Sequence, residues 1–541
     1  MPKSKLNQLM FGLVVVAVSS AVAVLVVRET LLSCARPVVQ AKETPSSKVT
    51  VASTGLPAPA DANAIQEKLD NPAIDVVKLS GANGPFDFGA DGGVRITRAG
   101  VTVEGEKGLN KRPVINGGGA AVEITADYPG DNPANPPLRY VFLVTAPGVA
   151  IRGLELRNFA TQAILVHGNS LDPRPVVIDD NVLNTTNLAS LSDMSQAIGL
   201  LSTGGWPIRV SNNTTTGPIG GIGAYWVGYY MNGSQRVYGG SPLDIVNNEI
   251  NVNIDDNGTF PADQLSDGIL VWSWKNWNNP GTDPNWGDNG PVRIIGNKVH
   301  LNNKYRIDWE NQVWPIPAYG GGIMAGRSAQ GLNYCLVANN TITGYGYSGI
   351  GYFAYGHDAQ ITGNDLSGLT AWSSQIEISA QDVLISKNIL GPLQIEGYSS
   401  AISIFSLRYH EEALIPLPTE NITVIDNDYT HIGSSWGGIY LDSGANWGGG
   451  WDGNEVRNNT IVEPAKSWGV KKADLEETLA SQIYMGLTNN GEGPQMVHDN
   501  TILGLNATKQ EVKPAVKDAK KMMEEARKKI YRNMFKKMNK K

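Results

Sequence analysis

The sequence predicts an all-β solenoid: stacked coils of three short strands, an asparagine ladder at one corner, and a helix at the C-terminal end. Three observations carry this. Sixty-one Gly and 30 Pro among 541 residues, with only 18% charged, point to many turns and short elements. A Val or Ile stands three residues before an Asn at Ile178/Asn181, Val210/Asn213, Ile245/Asn248, Ile294/Asn297, Val337/Asn340, Ile361/Asn364, Ile385/Asn388, Val424/Asn427, Val456/Asn459 and Val497/Asn500. An Ile-centred segment also recurs ahead of many of these copies, as DGILVWSW, GGIMAGRS, SGIGYFAY, SQIEISAQ, SAISIFSL, GGIYLDSG and SQIYMGLT.

Residues 1–35 read as a signal peptide or signal anchor. Lys3 and Lys5 precede an uncharged run from Phe11 to Val27, so the chain beyond it is expected to be exported. Three fates stay open: cleavage at Ser33-Cys34-Ala35, retention as a membrane anchor, or lipidation of Cys34 in LLSC. Residues 36–60 read as a Pro/Ser/Thr-rich linker without helical period. Residues 61–93 are expected to form an N-terminal cap and first coil, because a solenoid must shield the end of its core. The two cysteines, Cys34 and Cys335, define neither a disulfide framework nor a thiolate metal site, and Cys335 reads as a small buried apolar side chain.

Residues 94–505 carry the repeat. Apolar residues alternate on both sides of the Asn, as in CLVANNTI, which gives two strands and a tight bend. Asn suits the bend because it tolerates the left-handed conformation and its amide bonds nearby backbone. The shortest spacing, 24 residues from Asn340 to Asn364, is the bare coil; longer spacings contain inserted loops. Coils stack at about 4.8 Å, which lets the Asn side chains form a ladder. The repeat resembles the right-handed parallel β-helix proteins of the pectate-lyase-like superfamily, whose coils have three strands and an Asn ladder at one short turn. The resemblance covers Val94 to Leu505 and implies a right-handed parallel β-helix.

Residues 506–541 are expected to form a basic amphipathic helix. From Lys509 onward, eleven Lys and two Arg face four acids, a local +9, which leaves −16 on the rest of a chain whose net charge is −7. Val516, Ala519, Met523, Ala526, Ile530 and Met534 recur at helical steps. This helix reads either as a contact with an anionic surface or as a solvated helix against the end of the solenoid. The acidic body argues against nucleic acid as a partner.

Long insertions mark the walls of a groove. Those around Asn253 to Gly320 hold Trp272, Trp274, Trp277, Trp286, Trp309 and Trp314. Their rings suit sugar faces, and they equally suit packing of loops that have no core of their own. Aligning the third-side strands on Ile269, Ile323, Ile350, Ile376, Ile402 and Ile439 gives two outer columns. One reads Leu270, Met324, Gly351, Glu377, Ser403, Tyr440; the other Trp272, Gly326, Phe353, Ser379, Phe405, Asp442. Phe353 and Phe405 join the tryptophans as expected substrate contacts. Glu377 and Asp442 are the carboxylates in these columns, with backbones about 11–12 Å apart by strand spacing. Glycosidase carboxylates stand about 5–9.5 Å apart, so the pair must lean together to serve.

Tyr355-Gly356-His357-Asp358 resembles a shortened Tyr-Gly-Phe-Asp-Pro-His-Asp motif of alginate epimerases and related lyases, without the middle Phe-Asp-Pro. The resemblance implies proton exchange at a sugar C5 by Tyr355 and His357, with Asp358 supporting His357. Arg327, one coil away, could neutralise a substrate carboxylate. Ca²⁺ is the usual helper of such lyases, and Asp255, Asp256, Asp263 and Asp267 are its candidate ligands, although their spacing matches no fixed calcium loop. A phosphate-binding glycine loop, a paired-His metal motif and the NTD…DD…GHG series of polygalacturonases are absent. The expected function is an exported polysaccharide-binding protein with lyase, epimerase or hydrolase chemistry. Its rival is a non-catalytic cell-surface structural or adhesive solenoid.

Overall fold

A computed structural model describes residues 47–503 except 107–111, 123–137, 187–194, 226, 233–234, 255–266, 273–288, 304–319, 327–331, 354–355, 372, 392–399, 406–418, 431–438, 443–453, 463–482, 487–495 and 499–500. The expected signal segment and C-terminal helix therefore lie outside the described residues. Among the described residues, no helix is long and apolar enough to cross a membrane. The solenoid belongs to the compact unit that begins at Lys48.

Three parallel sheets form the solenoid. The first runs from Lys48–Ala52 to Met496–His498 and has 14 strands among the described residues. The second runs from Phe86–Gly89 to Thr501–Leu503, and the third from Val94–Ile96 to Ile483–Gly486. The chain visits first, second and third sheets in rotation, so every strand pairs with its counterpart one coil away. This is a parallel β-helix. Among the described residues, the exceptions to the parallel winding are the pair Ala120–Ala121, antiparallel to Arg139–Val144, and the hairpin Tyr229–Asn232/Gln235–Tyr238.

The periodicity of two in each strand sends alternate side chains inward. Val337, Ile361, Ile385, Val424 and Val456 are in register and buried, as are Ile269, Ile323, Ile350, Ile376 and Ile402 on the third sheet. Each stacked aliphatic side chain contributes about 1.5–3 kcal/mol on full burial. Cys335 is buried among them, and burial pushes its thiol up to about 12.

The corner between the first and second sheets is the asparagine ladder. Nδ2 of Asn340 donates to Oδ1 of Asn364 at 2.9 Å and to the Ile294 carbonyl at 2.9 Å, while its backbone N–H donates to the same Asn364 oxygen at 3.0 Å. The same pattern runs from Asn181 to Asn459. Leu154, in the copy that lacks the Asn, donates its N–H to Oδ1 of Asn181 at 3.2 Å and begins the ladder. One expectation is corrected. The left-handed residue is not the ladder Asn but the residue before it: Asp180, Asn212, Asn247, Asn339, Lys387, Asp426 and Asn458 have φ of +53 to +56, and Gly296 and Gly363 fill the same position. Sharp reversal is needed one residue early so that the ladder amide points inward, where its hydrogen bonds replace water.

At the N-terminal end, helix Ala60–Asp70 lays Ala62, Ile65 and Leu69 on the core. Asp61 anchors it, accepting from Ser53 Oγ at 3.0 Å, Thr54 N–H at 2.6 Å, Thr54 Oγ1 at 2.7 Å and Asp87 N–H at 2.9 Å. The segment read as a linker, 36–60, contains a strand of the fold: Lys48–Ala52 pairs in parallel with Val76–Ser80. The edge of Val76–Ser80 supplies backbone partners that outweigh the loop-like composition around it, and Val51 is buried by the pairing.

Candidate active site

The outer face of the third sheet holds the columns read from the sequence. Leu270, Met324, Gly351, Glu377, Ser403 and Tyr440 follow one another in register. In the neighbouring column Tyr225 pairs with Trp272, Phe353 with Ser379, and Phe405 with Asp442. Glu377 and Asp442 are two strands apart and one column apart, with Ser403 and Phe405 between them in the ladder.

Glu377 is 4% exposed although it points away from the core. Ser373 Oγ donates to its Oε1, and the Ser374 backbone N–H adds a second bond. Ser374 Oγ in turn bonds Ser403 Oγ at 2.7 Å. Burial strips the carboxylate of water by more than these donors restore, and its pKa rises to about 7. A carboxyl poised there both gives and takes a proton near neutral pH. Gly351 and Ser403, its neighbours in register, are small.

His357 occupies the turn between Ser348–Phe353 and Ala359–Thr362, outside the strand columns. Its Nδ1 lies 2.7 Å from Asp358 Oδ2, and its ring meets Tyr334 edge-on with centroids 5.6 Å apart. Tyr334, 48% exposed, has φ +53, as do its counterparts Asp358, Asp382 and Asn421 within a few degrees. Tyr355 and Arg327 lie outside the described residues. The bonding partners of His357 and of Glu377 do not overlap.

Trp272 is half-buried, its ring T-shaped against Tyr225 with centroids 5.2 Å apart and planes at 67°. Its Nε1 is buried and has no hydrogen-bond partner among the described residues. Trp274, Trp277, Trp286, Trp309 and Trp314 lie outside the described residues, as do Asp255, Asp256 and Asp263. Asp267 is buried at the start of a third-sheet strand, and its Oδ1 accepts the Gly321 N–H at 2.7 Å. Among the described residues, no three His, Cys, Asp or Glu side chains group to hold a metal ion.

Five earlier strands of the same sheet precede Ile269 and extend this face beyond the columns read from the sequence. Leu143, Leu165, Leu201, Tyr225, Leu270 and Met324 form a second apolar cluster there, outside the main core. His167 stands in register with Leu201, and burial lowers its pKa. Gln196 is buried with neither amide atom hydrogen-bonded among the described residues, and lies over the next strand where a Cβ on Gly223 would come 2.6 Å from its Cγ. The signal was present in QAILVH, QAIGLL and GGIGAY, which share the Ile register of the later segments.

Comparison with known proteins finds no matching family model and no matching curated protein. Among solved structures, the Dettilon tailspike protein gp208 aligns at 13% identity over 83% of this chain and 68% of its own, with a TM-score of 0.41. The mannuronan C-5 epimerase AlgE6 A-module of Azotobacter vinelandii aligns at 14% identity over 84% and 97%, TM-score 0.40. DFA-IIIase from Arthrobacter chlorophenolicus A6, in complex with GF2, aligns at 13% over 83% and 94%, TM-score 0.36. These are right-handed parallel β-helix proteins. The class of this chain, a parallel β-helix protein with an asparagine ladder, rests on its own three sheets.

Proposed function

We propose that this chain is an exported β-helix protein that binds polysaccharide across the outer face of the third sheet and processes it with Glu377 as acid and base. The observation that carries the reading is the buried Glu377 carboxyl, raised to about 7, on a face that also carries aromatic residues. Such a carboxyl protonates a leaving glycosidic oxygen or abstracts a proton beside a sugar carboxylate. Phe353, Phe405 and Trp272 stand at register positions of the neighbouring column, and aromatic residue types there suit a sugar face. Export rests on Lys3, Lys5 and the run Phe11 to Val27.

A second reading uses His357, with Tyr355 as proton donor and Arg327 on the substrate carboxylate; the 2.7 Å contact to Asp358 favours it, because it orients the imidazole. The full-length chain, incubated with neutral and uronic-acid polysaccharides, separates the two. New reducing ends or unsaturated products that vanish in Glu377→Gln and persist in His357→Ala support Glu377. The reverse pattern moves the chemistry to His357. Retention on a polymer without any product, with epimerisation excluded by NMR of the polymer, makes the protein a non-catalytic binder. Failure to be retained on, or to change, any polymer removes the polysaccharide reading.

A further inference from the structure

Near the N-terminal end, where the second sheet turns into the third, a cavity of about 460 Å³ is lined by Asp87, Asp91, Asn116, Asn158 and Arg139 over a floor of Gly and Ala. We propose that this cavity is a binding site for a neutral sugar unit, separate from Glu377. Seven strand steps along the third sheet separate Arg139–Val144 from Ser374–Ser379, about 34 Å at ~4.8 Å per step.

The polar groups converge and are held from behind. Asp87 and Asn116 are paired in register, and Asn158 Nδ2 donates to Asn116 Oδ1 at 2.9 Å. Asp87 Oδ1 accepts the Gly89 N–H at 3.0 Å, and the Asp87 N–H is fixed by Asp61. These bonds commit one side of each group. The second Asp87 oxygen, the Asn116 amide N–H₂ and the Asn158 carbonyl oxygen form no hydrogen bond among the described residues. Acceptors and donors thus alternate around one hollow, the pattern that vicinal hydroxyls satisfy.

Charge selects against other ligands. Among the described residues Arg139 is the cation of the cavity, and it is already bound to Asp91 at 3.0 Å and to the Gly119 carbonyl at 2.7 Å. With Asp87 beside it, the described lining of the cavity offers no free positive charge to a phosphate or uronate. Two carboxylates, one of them 88% exposed, do not make a cation cage, and no group of three ligating side chains occurs among the described residues. The volume, in the lower range for ligand pockets, holds a mono- or disaccharide. The small floor of Gly89, Ala90, Gly117, Gly118 and Ala160 allows a sugar ring to lie close to the backbone.

Saturation-transfer NMR on the full-length chain tests this, with methyl glucoside, methyl mannoside, methyl galactoside, N-acetylglucosamine, maltose and cellobiose as probes, and glucuronate and Ca²⁺ as contrasts. At least one neutral sugar is expected to bind in the millimolar range. Asn158→Gly, which keeps the φ of +54 without strain, and Asn116→Ala are each expected to weaken it at least about fivefold. Glu377→Gln is expected to leave it unchanged, so loss of the polysaccharide reading and loss of this site give different results. No transfer to any neutral sugar at about 10 mM, transfer that survives both substitutions, or binding confined to glucuronate or to Ca²⁺-loaded protein overturns the proposal.

Discussion

Glu377 stands directly opposite Gly351 in the ladder between neighbouring coils of the third sheet. The residue opposite the carboxyl on that flank therefore brings no side chain of its own, while Ser373 and Ser374 hold the carboxyl on its own coil. Replacing Gly351 by Leu fills that flank without requiring a left-handed backbone, since Gly351 is not among the positive-φ glycines. We expect turnover of the polymer substrate to fall at least about tenfold, mainly through KM, with a cost in stability of about 1–3 kcal/mol because the position is buried.

The raised pKa of Glu377 has a stability consequence of definite sign. The folded state holds the proton more tightly than the unfolded state, so this term is fully present below pH 4.5 and is lost as pH rises to about 7. The loss is bounded by roughly 3 kcal/mol. Denaturant midpoints at pH 4.5 and 8 should differ more in the wild type than in Glu377→Gln. Equal differences in both would show that the carboxyl is better solvated than its burial implies.

Asp61 works in the opposite direction. Burial raises its pKa, but hydrogen bonds from Thr54, Asp87 and Ser53 outweigh that and hold it below the usual 3.8. Its contribution is present above that value and is lost as pH falls through the folded pKa. Asp61→Asn is expected to reduce hydrogen-exchange protection at the N-terminal cap and to remove its acid sensitivity, while protection near Asn388 is unaffected.

Asn340→Ala removes the acceptor for the Asn297 backbone N–H and the donor to the Ile294 carbonyl. Buried groups left unpaired cost about 1–3 kcal/mol each. The amide of Asn297 should lose exchange protection first. Asn340→Asp, which keeps the acceptor but brings a charge, should restore little.

Tyr334 holds a bulky side chain at φ +53, where Asp358, Asp382 and Asn421 stand in equivalent turns. Tyr334→Asn is expected to stabilise the fold by about 1 kcal/mol. If retention on the polymer falls in the same variant, the ring is a sugar contact; if retention is unchanged, Tyr334 serves only to buttress His357.

Much of the fold is legible because a solenoid repeats its instructions. Val337, Ile361 and Ile385 each specify the same inward position, and the outer column through Glu377 follows from the alternation. The left-handed turn residue was misplaced by one because Asn occurs at both positions, as in Asn339-Asn340 and Asn458-Asn459. Strand Lys48–Ala52 was hidden by neighbours of loop-like composition. The N-terminal cavity was not legible at all. Asp87, Asn116, Arg139 and Asn158 belong to different coils and share no motif, so only the stacking brings them together.

The ladder also separates the height of a coil from its length. Asn340 and Asn364 are 24 residues apart and Asn248 and Asn297 are 49 apart, yet both pairs close the same bond at 2.9 Å. Extra residues therefore do not stretch the wall. A gene encoding such a chain can gain or exchange whole loops between two ladder positions while the scaffold keeps its pitch, so recognition surfaces can diversify faster than the fold that carries them.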